Sequence, residues 1–265
     1  MTRQGRRRDG AGAPRASAIV SGRRAVLEAV RAGLATSIIV ARGARATQGL
    51  SDVLAAAGAA GVEVREDERS RLDAVAADHR GVVAWVRPTP SLTERDLSTW
   101  SYDDDDLVVV LDGIEDPHNL GAAARAAEAA GAAMLVSRTR RAAEVTDAAI
   151  RASAGAMLHL PHARVANIGR ALTRLKDAGF AVVGLAEDAP ASIYGSTAPR
   201  GRIAIVLGSE GTGMSRLVRE ACDEVVSLPM RGRVGSLNAS TSLAAVLYAW
   251  VLPSRRRPER PAAGT

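Results

Sequence analysis

The chain has 265 residues, of which 47% are hydrophobic and 24% are charged, and its formal net charge is +6. This length and composition suit a globular protein with a buried core, and they exclude a chain that is disordered throughout. The positive charge favours a polyanionic partner such as nucleic acid. Nearly all of it is arginine, with Lys176 as the only lysine, so a compositional bias of the source genome could also supply much of it.

Cys222 is the only cysteine, so no disulfide can form within the chain and an oxidising compartment is not implied. The N-terminal arginines are not followed by the apolar segment of a secretion signal, and the longest apolar stretch, 243–252, is too short to span a bilayer. We therefore expect a cytoplasmic protein with no membrane partner.

In chain order, residues 1–16 are mostly arginine, glycine and alanine without periodicity, and they predict a disordered basic tail. Residues 17–88 alternate helical patterns with three apolar runs, which predicts a small α/β domain whose first helix begins near Ile19. Residues 89–106 carry prolines, serines and an acidic run, and they predict a linker between two domains.

Residues 107–253 predict a second and larger α/β domain. Continuous runs of Val, Ile and Leu, such as 107–111 and 203–207, alternate there with helical periods. Such runs are typical of a parallel sheet that is covered by helices on both faces. Residues 254–265 return to the composition of the N-terminal segment and predict a second disordered tail.

Three loops of unusual composition follow predicted strands of this second domain. They span residues 112–125, 207–216 and 228–240. Because ligands of open parallel sheets bind beyond the carboxyl ends of the strands, we expect these loops to build one common site.

The first loop offers Asn119 and Arg125. Asn119 follows an Asp-Pro turn, where a helix N-cap is expected, and capping is its simplest role. Arg125 lies six residues later in a helix made mostly of alanine. It could reach solvent, but a guanidinium beside a helix N-terminus also suits a phosphate.

The second and third loops each carry more polar groups than a plain connection needs. The glycines around Glu210 match neither a Walker loop nor a GxGxxG fingerprint, and the Glu210 carboxylate could accept hydrogen bonds from ribose hydroxyls or hold an arginine. Ser236, Asn238 and Ser240 crowd the start of the last helix, where one N-cap would suffice. The preceding Leu-Pro-Met could contact an adenine.

Metal and hydrolase chemistry find little support in the sequence. There is no HExxH, no paired cysteine and no GxSxG. His159 and His162 would lie on opposite faces if their segment is a strand. We expect no metal site.

Three segments of the chain closely resemble, in order, the signature motifs of the SpoU (TrmH) family of RNA 2'-O-ribose methyltransferases in the SPOUT superfamily. The segments are NLGAAARAAEAAGA from Asn119, IVLGSEGTGMS from Ile205 and LPMRGRVGSLNASTSLAAVLYA from Leu228. The first domain resembles the family's L30e-like substrate-binding domain, with His79-Arg80-Gly81 where the family usually has His-Gln-Gly. The layout looks most like the branch that methylates guanosine in 23S rRNA.

The resemblance implies properties that periodicity alone does not show. It implies a homodimer, a deep trefoil knot in the segments from about Arg202 onward, and S-adenosylmethionine as the cofactor. Cofactor contacts are then expected at Gly208, Leu228 and Leu237, with Leu207, Ser209, Met230 and Ser236 nearby.

The resemblance also implies roles for four residues in catalysis. Arg125 would orient the substrate phosphate, Asn119 and Asn238 would position the ribose, and Glu210 would order the loops. Alternative functions are a tRNA 2'-O-methyltransferase or an antibiotic-resistance rRNA methyltransferase. A non-catalytic ribosome-associated RNA-binding protein would fail to bind S-adenosylmethionine, and a dinucleotide-dependent enzyme would need a glycine fingerprint that the first strand lacks.

Overall fold

The computed structural model describes residues 18–76, 78–87, 91–233 and 235–254. The tail predicted at 1–16 lies outside these residues, as does all but the first residue of the tail predicted at 254–265. Within them the chain builds two sheets, one of four strands and one of seven.

The four-stranded sheet is formed by the N-terminal part of the chain. Its elements are β1 (Ala18–Ser21), α1 (Arg23–Arg31), β2 (Ala35–Ala41), α2 (Gln48–Ala60), β3 (Glu63–Asp67), α3 (Arg69–Val75) and β4 (Val82–Val86). The strand order is β1-β4-β2-β3, with β2 and β3 parallel and β4 antiparallel to both of its neighbours. The sheet is therefore mixed.

The helix that the sequence predicts from Ile19 is wrong at its start. Residues 18–21 form strand β1, in which Ile19 pairs with Trp85 of β4 and Val20 is fully buried. Gly22, with φ of 86°, then turns the chain into α1, a backbone conformation that glycine adopts without strain. A strand of four residues is too short to show its own hydrophobic periodicity, so β1 and α1 look like one helix in the sequence pattern.

The segment 91–106, predicted as a linker, lies along the second sheet. It includes a short helix, α4 (Asp96–Thr99), in which Leu97 is fully buried. Glu94 forms ion pairs with Arg170 at 2.5 Å and with Arg174 at 3.2 Å. These contacts attach the segment to the helix that covers one face of the sheet.

The seven-stranded sheet is formed by the rest of the chain. Its strands are β5 (Leu107–Asp112), β6 (Met134–Arg138), β7 (His162–Val165), β8 (Ala181–Leu185), β9 (Ala191–Ser192), β10 (Ile203–Gly208) and β11 (Glu224–Ser227). Its helices are α5 (Pro117–Ala129), α6 (Asp147–Ala152), α7 (Ile168–Asp177), α8 (Arg216–Glu220) and α9 (Ala239–Val246).

All adjacent strands of this sheet are parallel, in the order β7-β6-β5-β10-β8-β11-β9. All six residues of β5 and all six of β10 are buried, as expected for strands covered on both faces. The predicted parallel α/β fold is confirmed.

Two stretches differ from their sequence prediction in detail. The weak strand predicted around His159 is reduced to β7, because 156–158 form a 3-10 turn. The last helix begins at Ala239 and passes into one π-helical turn over Leu247–Val251. No helix among the described residues is long and apolar enough to cross a membrane.

The two sheets are joined by a polar contact between β1 and α6. The backbone N–H and hydroxyl of Ser21 donate to the carboxylate of Asp147 at 2.8 and 2.7 Å, and Arg151 donates to the Ser21 hydroxyl at 2.8 Å. His159 and Glu28 add a contact of 3.1 Å beside it. These bonds fix the first sheet against the helical layer of the second.

Candidate active site

A cavity of about 600 Å³ opens at the carboxyl ends of β10, β8 and β11. This volume lies within the range of about 300–1,000 Å³ that small-molecule sites occupy. All seven residues predicted to contact the cofactor line it: Leu207, Gly208, Ser209, Leu228, Met230, Ser236 and Leu237. Glu210 and Asn238 line it as well. The second and third loops therefore form one site, as the sequence predicts.

Gly208 permits a close approach of two backbone segments. A Cβ atom there would lie 2.1 Å from the carbonyl carbon of Gly213 and 2.1 Å from the amide nitrogen of Met214. The chain from Ser209 to Gly213 folds back through paired backbone hydrogen bonds of 3.1 and 2.9 Å, with Gly211 and Gly213 at positive φ. Only glycine at position 208 leaves room for this loop.

Glu210 joins all three loops through one carboxylate oxygen. Its Oε1 accepts hydrogen bonds from Asn119 Nδ2 at 3.1 Å, from Asn238 Nδ2 at 2.5 Å and from the amide of Ala239 at 3.3 Å. Asn238 Nδ2 also donates to Asn119 Oδ1 at 2.9 Å. Asn119 itself does not line the cavity. Through these bonds it attaches the first loop to the second and third loops, which do.

Asn238 is the N-cap of α9. Its Oδ1 accepts hydrogen bonds from the Ser240 amide at 3.0 Å and from the Ser240 hydroxyl at 2.6 Å. One cap therefore suffices, and Ser236 is an exposed hydroxyl beside the cavity. This division of roles fits the surplus of polar residues in the sequence.

The capping role expected for Asn119 is wrong. Asp116 caps α5, because its Oδ1 accepts a hydrogen bond from the amide of His118 at 2.9 Å. Pro117 occupies the first turn, where a missing N–H costs nothing. Asn119 lies inside that turn, and its side chain is free to bind Glu210 and Asn238.

Arg125 does not lie with the other predicted catalytic residues. It follows Asn119 by six residues, a rotation of about 240° around the helix, so it leaves α5 on another side. Its side chain is exposed and lines a separate open cleft of about 800 Å³, together with Arg24 of α1 and His159. The structure brings together Asn119, Glu210 and Asn238, and leaves Arg125 outside.

A buried ion pair near the cavity was not singled out from the sequence. Asp112, at the end of β5, is 3% exposed and lies 2.6 Å from Arg138 of β6. Its other oxygen accepts a hydrogen bond from the Ser215 amide at 2.9 Å. In the sequence, the sign of this pair is a carboxylate at the end of an otherwise apolar strand. Its partner could not be predicted, because the sequence does not reveal which strand lies beside β5.

The cavity fits a ligand such as S-adenosylmethionine. Leu185, Leu207 and Val246 supply apolar walls, while the glycine-rich loop brings backbone N–H and C=O groups to the opening. The close approach of Gly213 and Met214 to Gly208 holds the loop 209–213 as one wall of the cavity, and we call this wall the cofactor cradle. Among the described residues, no three His, Cys, Asp or Glu side chains cluster as a metal ion would require.

Comparison with known protein families gives two matches. The family described as "SpoU rRNA Methylase family" matches residues 106–248, and the family described as "RNA 2'-O ribose methyltransferase substrate binding" matches residues 19–91. The first match covers more than half of the chain and includes every residue of the cavity described above.

Relatives and solved structures agree with these matches. A protein of Photobacterium profundum named 23S rRNA (guanosine-2'-O-)-methyltransferase RlmB is 41% identical over 191 residues, which are 71% of this chain and 78% of that protein. A Mycolicibacterium vanbaalenii protein named uncharacterized tRNA/rRNA methyltransferase is 43% identical over 234 residues, covering 86% and 74%. The SpoU methyltransferase AviRb from Streptomyces viridochromogenes, solved with the cofactor AdoMet, aligns with a TM-score of 0.72, 26% identity and 89% coverage of both chains.

These matches confirm the family that the three motifs predict, and with it the enzyme class and the methyl donor. The non-catalytic and dinucleotide-dependent alternatives are set aside. The chain belongs to the SpoU rRNA methylase family and is an S-adenosylmethionine-dependent RNA methyltransferase.

Proposed function

We propose that this enzyme methylates the ribose 2'-hydroxyl of a guanosine in 23S rRNA. The hydrogen-bond network that unites Asn119, Glu210 and Asn238 beside the cavity carries the proposal, because it places polar side chains of three loops at the edge of a cofactor-sized space. The relatives named for 23S rRNA guanosine, at 41 and 43% identity, support the choice of substrate.

The cofactor would be held mainly by main-chain groups. Gly208 of the second loop lines the cavity together with Leu228 and Leu237 of the third. S-adenosylmethionine supplies a sulfonium methyl group that a nucleophile can attack in line.

The residues of the chain have to orient a weak nucleophile. A ribose 2'-hydroxyl attacks only as it loses its proton, and a precisely held geometry lowers the barrier to that step. An arginine stays protonated in proteins and is therefore a poor base. In this proposal Arg125 holds the substrate phosphate, Asn119 and Asn238 position the ribose, and Glu210 keeps the loops in place.

The enzyme acts as a homodimer in which Arg125 of one copy completes the cavity of the other. Two observations support this: Arg125 is exposed outside the cavity of its own chain, and Tyr248, just beyond α9, is 52% exposed. Because α9 packs against α5, both residues belong to one helical layer. A two-fold contact through this layer would bring Arg125 near the partner's cofactor.

The C-terminal part is proposed to be knotted, in the segments from about Arg202 onward. The path of the chain supports this. β11 lies two strands away from β10, yet the following residues 228–238 return to the loop after β10, and α9 packs on α5 beyond it. A crystal structure whose trace over 202–254 passes through no loop would contradict the proposal.

Mapping of 2'-O-methyl groups in rRNA and tRNA, with and without the gene, tests the substrate. A new methyl group on one guanosine of 23S rRNA is expected. Modification of tRNA alone would contradict the proposal and favour the first of the two substrates, tRNA and rRNA, in the name of the Mycolicibacterium vanbaalenii relative. The same map separates a housekeeping site from one that confers antibiotic resistance.

Arg125→Ala tests the role of the arginine. We expect methylation to be lost while the Kd for S-adenosylmethionine, measured by calorimetry, stays within about twofold of wild type. The matched control is Arg170→Ala, a 62% exposed arginine of α7 that pairs with Glu94 outside both clefts and is expected to change neither quantity. Near-normal activity of Arg125→Ala would refute the role.

Mixed dimers test whether the site is shared. One chain carries Arg125→Ala and the other carries Gly208→Val, whose side chain would collide with the backbone of Gly213 and Met214 and displace the loop that lines the cavity. Each homodimer is expected to be inactive, whereas co-expressed chains regain activity because one cavity then has both an intact cradle and an intact arginine. No recovery, with mixed dimers isolated through a different affinity tag on each chain, would show that Arg125 serves its own chain.

A further inference from the structure

A buried carboxylate lies directly beneath the loop that forms one wall of the cavity. Asp112 ends β5, whose other five residues are apolar, and it is 3% exposed. A charged group in such surroundings is costly unless hydrogen bonds and an opposite charge compensate it. Its two oxygens have different partners, and both partners bear on the cavity.

The first partner is the end of the cofactor loop. Asp112 Oδ2 accepts a hydrogen bond from the backbone amide of Ser215 at 2.9 Å, directly after Met214. Asp112 is also the register partner of Gly208 in the β5–β10 pair, so it lies next to the residue where the loop begins. A Cβ atom on the following Gly113 would lie only 3.6 Å from Ser209 Cβ. The carboxylate of Asp112 thus bonds the end of the loop 209–214, and its backbone pairs with the residue before the loop begins.

The second partner balances the charge. Arg138 Nη2 lies 2.6 Å from Asp112 Oδ1, and Arg138 also reaches the Ser215 hydroxyl at 3.5 Å. The Arg138 side chain is itself 32% exposed. Arg138 thus lies against one oxygen of the Asp112 carboxylate, while the other oxygen accepts the hydrogen bond of the Ser215 amide.

We propose that Asp112 is a positioning residue for the methyl donor. Its carboxylate holds the loop 209–214 through the Ser215 amide, with its charge balanced by Arg138, and this sets the place of Glu210 and of the backbone groups at the cavity. The inference rests on the proposed placement of S-adenosylmethionine in this cavity. Asp112 does not itself line the cavity and acts only through the loop.

Calorimetric binding of S-adenosylmethionine to the full-length enzyme is the first test. Asp112→Ala removes the acceptor and the charge together, and we expect the Kd to rise about tenfold, the loss of one hydrogen bond to a charged group. In steady-state methylation the KM for S-adenosylmethionine should rise by a similar factor while the KM for RNA stays unchanged. Equal increases in both would indicate general damage and overturn the proposal.

Replacing Asp112 and Arg138 together, so that no charge is left unbalanced, separates an effect on the position of the loop from an effect on the stability of the fold. Asp112→Asn keeps an oxygen for the Ser215 amide but leaves Arg138 unbalanced, and Arg138→Met leaves Asp112 unbalanced. Each single change should weaken binding of S-adenosylmethionine, whereas the double variant should bind within about threefold of wild type. If Asp112→Ala does not fold, this comparison decides: a double variant that binds no better than the singles overturns the proposal.

Glu94→Gln is the matched control. Glu94 is a 13% exposed carboxylate that pairs with two arginines far from the cavity, so its loss should lower the melting temperature without changing the Kd. A Kd that follows the melting temperature in every variant would assign Asp112 a purely structural role. If the wild-type enzyme itself failed to bind S-adenosylmethionine in this cavity, the proposed function would fail instead.

Discussion

Gly208→Ala is expected to abolish the close approach on which the cofactor cradle depends. The added Cβ would lie 2.1 Å from Gly213 C, 2.1 Å from Met214 N and 2.5 Å from Gly213 O. All three are backbone atoms, so no side-chain rotation can relieve the contact. Either β10 or the loop after it must move.

The size of that movement follows from ordinary contact distances. Relaxing 2.1 Å to the 3.4 Å of a normal contact requires a shift of about 1.3 Å. Such a shift would lengthen the bonds of 2.5–3.3 Å that Glu210 accepts beyond hydrogen-bond range. Overpacking of this kind costs about 1–3 kcal/mol of folding stability. If the wall of the cavity takes up this cost when the cofactor binds, about 1.4 kcal/mol already corresponds to a tenfold change in Kd.

Calorimetric titration with S-adenosylmethionine measures the effect directly. We expect the Gly208→Ala variant to bind at least about tenfold more weakly, and to unfold at a lower urea concentration. Gly232→Ala is the matched control, since nothing lies within 4 Å of the position that an added Cβ would take there and its backbone needs no positive φ. A Gly208→Ala variant that binds like wild type would show that the loop does not form the cradle.

Two further outcomes concern stability away from the cavity. Gly121→Ala should destabilise the fold by about 1–3 kcal/mol in urea unfolding, because its Cβ would lie 2.4 Å from the carbonyl oxygen of Ala149 in α6; an unchanged midpoint would contradict this packing. Burial, and then the charge of Arg164, lower the pKa of His162 to about 4. The folded protein thus favours the neutral imidazole. The contribution of His162 to the free energy of unfolding is fully present above about pH 6.5, and roughly 3 kcal/mol of it is lost as the pH falls towards 4. His162→Gln, which can still bond Ser137, should flatten the acid limb of stability against pH, and an unchanged limb would refute the assignment.

The sequence predicted the parts of the site that depend on strand ends. The apolar runs 107–111 and 203–207 indicated buried parallel strands, and parallel strands bring their carboxyl ends to one edge. Neighbouring loops at that edge were therefore expected to meet, as Glu210 and Asn238 do. This prediction required no knowledge of the order of the strands.

Other features depend on geometry that no local pattern carries. Asn119 and Asp116 are both good caps, and only the actual start of α5 shows that Asp116 is used. The pairing of Asp112 with Arg138 requires β5 and β6 to be neighbours, which the spacing of the two residues does not reveal. The separation of Arg125 from the cavity follows from helical rotation, which sequence distance alone obscures.

The oxygen and nitrogen of the Asn238 amide connect the start of α9 with the loops that close the cavity. Its oxygen caps α9, and its nitrogen bonds Glu210 and Asn119. Because both atoms belong to one amide group, a rotation of the side chain that breaks the loop contacts also removes the cap. An N-cap contributes about 1 kcal/mol to the stability of its helix. Fraying of the first turn of α9 and opening of the cofactor cavity are consequently one event, and amide exchange at Ser240 should slow when the methyl donor binds.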